Sequence, residues 1–173
     1  MMNLLEQFRT IKTFIFDVDG VLTPGDLVVT EQGELLRRMN VKDGFALKTA
    51  LQKGYRIVII TGGNSEGVSL RLQGLGIKDI YTKSHDKIVD FKSLIAANPD
   101  ILVEECLYMG DDVPDLPVLN AVGLATAPND AIPECISMAD YVSPFKGGQG
   151  CVRDVIEKVL KLNKDWPNPL DKS

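Results

Sequence analysis

Short, dense apolar runs alternate along this chain with longer stretches in which apolar residues return every three or four positions. The dense runs read as buried strands, and the wider spacing marks one face of a helix. Thr13 to Phe16 and Ile57 to Ile60 are the clearest strands; Ile80-Tyr81, Leu107 to Met109 and Leu124-Ala125 supply weaker ones. The spacing predicts a helix from Phe45 to Gln52, closed by Gly54, and a second carrying Val68, Leu72 and Leu75, capped by Ser65 and ending near Gly76. A third carries Ile88, Phe91, Leu94 and Ile95, with Ser84 or Asp86 as cap. A last stripe runs through Val152, Val155, Ile156, Val159 and Leu160.

Alternation of this kind implies an α/β domain: a parallel sheet with helices on both faces. The domain is expected to span 1–163, with 164–173 an irregular tail that is loose or packed on a neighbour. One segment breaks the rhythm. Residues 26–40 read as a projecting β-hairpin turning at Glu31-Gln32-Gly33-Glu34. Such an arm either caps a site or pairs with another subunit. Because an isolated two-stranded arm is marginal, burial in an oligomer is favoured.

Composition narrows the function. A chain of 173 residues with a net charge of -5 and no basic run does not suit general nucleic-acid binding. No apolar segment is long enough to span a bilayer, and the amino terminus lacks a signal-peptide pattern, so a soluble, cytoplasmic protein is expected. Cys106, Cys135 and Cys151 are widely spaced and form no CxxC pair, and His85 is the single histidine. Three reduced thiols are expected, and a zinc site is not.

The polar clusters coincide with the carboxyl ends of the expected strands, where ligands bind in such sheets. Asp17 and Asp19 follow the first strand, Thr61 the second, and Asp111 with Asp112 the run ending at Met109. Two acids two residues apart at a buried strand end repel each other and are costly to desolvate. A bound cation relieves both costs, and hard oxygen donors favour magnesium.

Taken in order, Asp17-Val18-Asp19-Gly20-Val21-Leu22-Thr23, Thr61, Lys87 and Gly110-Asp111-Asp112-Val113-Pro114-Asp115 resemble the four motifs of the haloacid dehalogenase superfamily. Met39 to Gly44, Ile60-Thr61-Gly62-Gly63, Arg71 with Leu75-Gly76-Ile77, and Gly147 to Arg153 resemble more narrowly its 3-deoxy-D-manno-octulosonate 8-phosphate (KDO 8-phosphate) phosphatases. The resemblance implies a Rossmann-type fold without a cap domain. It also implies a homotetramer assembled through the hairpin, in which a neighbouring subunit closes each site. The implied activity is magnesium-dependent release of phosphate from a sugar-acid phosphate, a step towards lipopolysaccharide.

On this resemblance Asp17 is the expected nucleophile, and Asp19 the acid and base. Magnesium is expected on the Asp17 carboxylate, the Asp19 backbone carbonyl and Asp111. Thr61, the Gly62 amide and Lys87 are the expected phosphate binders. Asp112 and Asp115 are expected to orient metal waters and Lys87. For the sugar acid's carboxylate Arg71 is the first candidate; Lys42, Lys146 and Arg153 are weaker, and His85 borders the pocket or lies in a plain loop.

Gly147 to Gly150 is either a mobile flap or a turn. Many relatives carry arginine at the positions of Gly63 and Lys42, so Gly63 removes a cation near the sugar. Glycine at positions 63 and 74 leans towards the eight-carbon substrate over a nine-carbon keto-acid phosphate. From another class, a phospho-accepting signalling receiver uses a similar set of acids, threonine and lysine.

Overall fold

The structure is a computed structural model that describes residues 3–167. Six parallel strands form one sheet: β1 (Thr13–Phe16), β4 (Arg56–Ile60), β5 (Asp79–Tyr81), β6 (Cys106–Met109), β7 (Leu124–Ala127) and β8 (Tyr141–Val142). Their order is β5-β4-β1-β6-β7-β8. The chain therefore leaves β1 to one side for β4 and β5, then returns to its other side for β6. This reversal opens a crevice beyond the carboxyl end of β1, between those of β4 and β6.

The strands are apolar throughout because both faces are covered. Phe14, Phe16, Ile57, Ile59, Leu107 and Met109 point to one core, and Ile15, Val58, Ile60, Cys106 and Tyr108 to the other. The first core is closed by α1 (Leu4–Thr10), α2 (Val41–Gln52), α3 (Glu66–Gly74) and α7 (Cys151–Leu162). Against the second lie α4 (Lys87–Ala97), α5 (Leu116–Leu119) and α6 (Pro133–Met138). All three cysteines are free and buried. Among the described residues no helix is long and apolar enough to cross a membrane.

Several elements depart from the pattern-based expectation. The helix expected at Phe45 begins at Val41, because the Asn40 side chain accepts from the Lys42 amide at 2.8 Å and caps it. Neither Ser84 nor Asp86 makes a capping hydrogen bond to α4; the Ser84 hydroxyl donates to Asp90 instead. The short elements α1, α5, α6 and β8 carry too little periodicity to stand out. Gly147 to Gly150 is a packed turn rather than a flap. A Cβ on Gly147 would lie 1.9 Å from the Gly20 carbonyl oxygen, and the Gly148 amide donates to Val21 O at 2.8 Å.

The first part of the expected tail folds back on its own domain. Asp165 N donates to Leu160 O, and Asp165 accepts from the Tyr55 hydroxyl at 2.8 Å. Trp166 meets Phe45 edge-on and lies beneath the Arg153 guanidinium. The remainder, 168–173, lies outside the described residues.

The hairpin stands apart from the sheet. Its strands β2 (Val28–Val29) and β3 (Leu35–Leu36) pair antiparallel, Val28 opposite Leu36 and Val29 opposite Leu35. All four side chains are exposed, so the arm presents apolar residues on both of its faces.

Asp43 ties α2 to α7. Its buried carboxylate accepts from the Arg153 amide at 2.8 Å, in the first turn of α7. Burial pushes Asp43 up to about 6 from 3.8, against the pull of the Arg153 and Gly150 amides and the Arg153 charge. A carboxyl raised on folding contributes stability that is complete below its unfolded pKa and is lost as pH climbs through the folded one. The chain should therefore lose up to about 3 kcal/mol relative to Asp43→Asn between about pH 4 and pH 7. Urea unfolding of both proteins across that range measures the difference, and a pH-independent gap would reject the assignment.

Candidate active site

Three strand ends deliver the site. Asp17 follows β1 and is held by its own amide, which donates to Met109 O on β6 at 3.1 Å. Gly20 then turns the chain with φ of 93°. A Cβ at this position would sit 2.0 Å from the Asp111 carboxylate, so only glycine lets the loop after β1 and the loop after β6 approach so closely. Thr61 follows β4. Its hydroxyl accepts the Gly63 amide at 3.1 Å, which leaves the O–H free to donate outward.

The β5–α4 loop locks onto the Thr61 loop. Lys83 N donates to Gly63 O and Ser84 N to Thr61 O, both at 3.0 Å. The left-handed backbone of Lys83, with φ of 56°, brings the two amides to these acceptors. That anchorage sets the start of α4, and hence Lys87, whose ammonium lies 3.0 Å from Asp17 and 2.6 Å from Asp115. Burial alone would pull Lys87 down, but the charges of Asp17 and Asp115 outweigh it and its pKa is raised. The lysine is a fixed cation.

Asp115 is the acceptor at which the site's scaffold meets. It comes from a 3-10 turn (Val113–Asp115) opened by the Asp112 cap. One of its oxygens accepts from Lys87 and the Tyr108 hydroxyl, the other from the amides of Asp111 and Asp112 at 3.0 and 3.2 Å. Fully enclosed, it has no donor-free oxygen facing the cleft. Asp112, by contrast, is exposed and turns its side chain onto the Val113 amide at 2.8 Å.

Oxygens of Asp17, Asp111 and Asp115 lie within 4.8 Å of one another. Burial and then the Asp115 charge push Asp17 up to about 7. Burial and the charges of Asp17 and Asp115 push Asp111 up to about 8. Asp111 Oδ1 is buried with no hydrogen-bond partner. A hard divalent cation fits this donor set: it supplies the missing partner and offsets the repulsion. Asp115 already has its four donors, so Asp17 and Asp111 are the carboxylates left for the ion.

A cleft of about 430 Å³ opens onto these groups. It is lined by Asp17, Asp19, Thr61, Gly62, Gly63, His85, Lys87, Asp111, Asp112 and Asp115, together with Gly25, Ser84 and Pro114. Arg71 is not in that lining; it is exposed on α3, with its guanidinium against Gly44. Lys42 and Arg153 line a separate groove along α7, and Lys146 is exposed outside the cleft.

The sequence reading missed Arg37. This hairpin residue reaches back to Asp19, with Nε 2.6 Å from one carboxylate oxygen and an Nη 3.1 Å from the other. The only trace in the sequence is the Arg37-Arg38 pair, which alternation sends to opposite faces of the arm; Arg37 is nearly enclosed and Arg38 exposed. The Tyr108 hydroxyl was likewise hidden inside a strand that reads as uniformly apolar.

The chain is similar to known proteins in sequence and in fold. A family model for haloacid dehalogenase-like hydrolases matches residues 64–154. The chain is 37% identical over 158 residues to the 3-deoxy-D-manno-octulosonate 8-phosphate phosphatase KdsC of Escherichia coli K12, covering 91% of this chain and 84% of that protein. Its fold is similar to the crystal structure of the Yersinia pestis phosphatase of the same name, with a TM-score of 0.90, 34% identity, and coverage of 94% and 87% of the two chains. It is also similar to the Moraxella catarrhalis phosphatase in complex with magnesium, phosphate and KDO, with a TM-score of 0.87, 32% identity and coverage of 91% and 90%. The chain belongs to the 3-deoxy-D-manno-octulosonate 8-phosphate phosphatase family of the haloacid dehalogenase-like hydrolases.

Proposed function

We propose that this protein is a magnesium-dependent phosphatase that hydrolyses KDO 8-phosphate to KDO and inorganic phosphate. The observation that carries the reading is the convergence of Asp17, Thr61, Lys87 and Asp111 in one cleft at the reversal of strand order. The names of the relatives favour the eight-carbon substrate over the nine-carbon one. Membership of a hydrolase family favours turnover over the stoichiometric phosphate retention of a signalling receiver.

The Asp17 carboxylate attacks phosphorus in line with the sugar oxygen. The P–O bond to the sugar breaks as the Asp19 carboxyl gives that oxygen its proton, leaving an aspartyl-phosphate. Water then attacks the same phosphorus, loses a proton to Asp19, and returns the Asp17 carboxylate with release of phosphate. Two carboxylates are needed because the group bonded to phosphorus cannot also move the proton.

Lys87 holds Asp17 at 3.0 Å and supplies positive charge where the transition state spreads negative charge over the phosphoryl oxygens. The Thr61 hydroxyl and the Gly62 amide donate to the same group. Asp115 aims Lys87, and Asp112 shapes the turn that presents Asp111. Asp17, Asp111 and the Asp19 backbone carbonyl would hold magnesium, which when bound screens the nucleophile's charge from the phosphoryl oxygens.

The proposed assembly is a homotetramer in which a neighbouring subunit closes the cleft. Exposed Leu27, Val28, Val29, Leu35 and Leu36 on an arm outside the main sheet support burial between subunits. A cytoplasmic location, in a step towards lipopolysaccharide, completes the reading; three buried free thiols suit a reducing compartment.

Asp17→Asn should lower phosphate release from KDO 8-phosphate by at least about 1,000-fold while the thermal unfolding transition persists. Near-normal turnover would remove the nucleophile. Chelation should abolish steady-state activity and added magnesium restore it, whereas full activity in chelator would reject the metal. Val29→Glu should shift sedimentation towards smaller species; an unchanged profile would place the subunit contacts elsewhere.

A further inference from the structure

Arg37 makes a contact that phosphoryl transfer as derived above does not use. Its neighbours Leu35, Leu36 and Arg38 are exposed, yet this side chain is only 9% exposed and grips both oxygens of Asp19. A third donor goes to Leu35 O at 3.2 Å. A guanidinium has five N–H groups, so two remain for another acceptor. Behind it lies Gly63, whose ideal Cβ would sit 3.7 Å from the Arg37 nitrogen and 3.2 Å from Asp19 Oδ2. A longer side chain at 63 would crowd the contact; glycine leaves the space that the guanidinium occupies.

The charge inventory gives this placement its meaning. Among the described residues the cations around Asp19 and the cleft are Lys87 and Arg37, beside the imidazole of His85. Lys87 is committed to Asp17 and Asp115 on the phosphoryl side. Arg37 stands on Asp19, the acid assigned above to the leaving oxygen.

We propose that Arg37 is a specificity-determining residue that binds the carboxylate of the leaving group, exchanging part of its hold on Asp19 for that ligand. The exchange has a consequence for the reaction. With both Asp19 oxygens gripped by Arg37, neither is directed at the ester oxygen. A substrate carboxylate that draws one Nη away turns an Asp19 oxygen towards the bond to be broken. The swap keeps the guanidinium's charge pairing, since it trades one carboxylate oxygen for another. Sugar phosphates without an acidic group leave Arg37 on Asp19. Selection for the acid then rests on the hairpin as well as on the sheet.

This inference rests on the phosphatase reading, and its test separates the two. Hydrolysis of KDO 8-phosphate and of a pentose 5-phosphate lacking a carboxylate is measured for the native chain, Arg37→Gln and Arg37→Lys. The ratio of the two kcat/KM values within one preparation does not depend on how much of it is folded. Arg37→Gln should lower that ratio by at least about 10-fold, chiefly through KM for the keto acid, as expected for loss of a charge-assisted hydrogen bond. Arg37→Lys should recover part of it, because charge is kept and the fork is lost. A ratio that falls by less than 10-fold in Arg37→Gln overturns the proposal, and equal losses on both substrates would assign Arg37 to holding Asp19 for any ester. A native chain inactive on both substrates would instead overturn the phosphatase reading.

Discussion

Lys87 is buried between two carboxylates, and the site takes its shape from that arrangement. An ammonium enclosed at 6% exposure is tolerable only because Asp17 and Asp115 lie within 3.0 Å of it. Asp115, in turn, is bearable only with its donors from Lys87, Tyr108, Asp111 and Asp112. Loss of one member leaves another charge buried without a partner. The network therefore fixes the relative positions of β1, α4 and the turn after β6. An aspartate held this way stays in place while lining the cleft.

The network also explains the two kinds of acid in the cleft. Asp115 is saturated by donors and acts as a brace. Asp17 and Asp111 keep oxygens free, share a crowded and partly buried space, and are pushed towards protonation by it. That crowding makes a divalent cation part of the site's electrostatics rather than an addition to it. The acids look alike in the chain, and their separate roles come from the hydrogen bonds they already hold.

The hairpin contributes at two scales. Outwardly it is an apolar arm on both faces, too short to be stable as an isolated pair. Inwardly it sends one guanidinium to Asp19, so whatever holds the arm in place also sets the environment of the acid two residues after Asp17. On the proposed reading, assembly and specificity share one structural element. The packed glycine turn at Gly147 and Gly148 supports the loop between β1 and the hairpin, because its backbone touches Gly20, Val21 and Pro24.

Local sequence was sufficient for the features that depend on near neighbours. Doubly apolar strands, helix stripes, the Asp17–Asp19 spacing and the glycine turn of the hairpin are short-range consequences of periodicity and backbone sterics, and they can be read in order along the chain. The acids and Thr61 can likewise be read in order at strand ends, and Lys87 at the start of a helix. What the chain could not show depends on distance through space. Asp112 and Asp115 are equivalent by type and spacing, yet one is exposed and one enclosed, because only the fold decides which meets Lys87 and Tyr108. Arg71 is a plausible cation in the sequence and Arg37 draws no notice there; α3 carries the first away from the cleft, and the hairpin brings the second, 18 positions after Asp19, onto that acid. A side chain's partners across such loops are set by packing, and no local pattern encodes them.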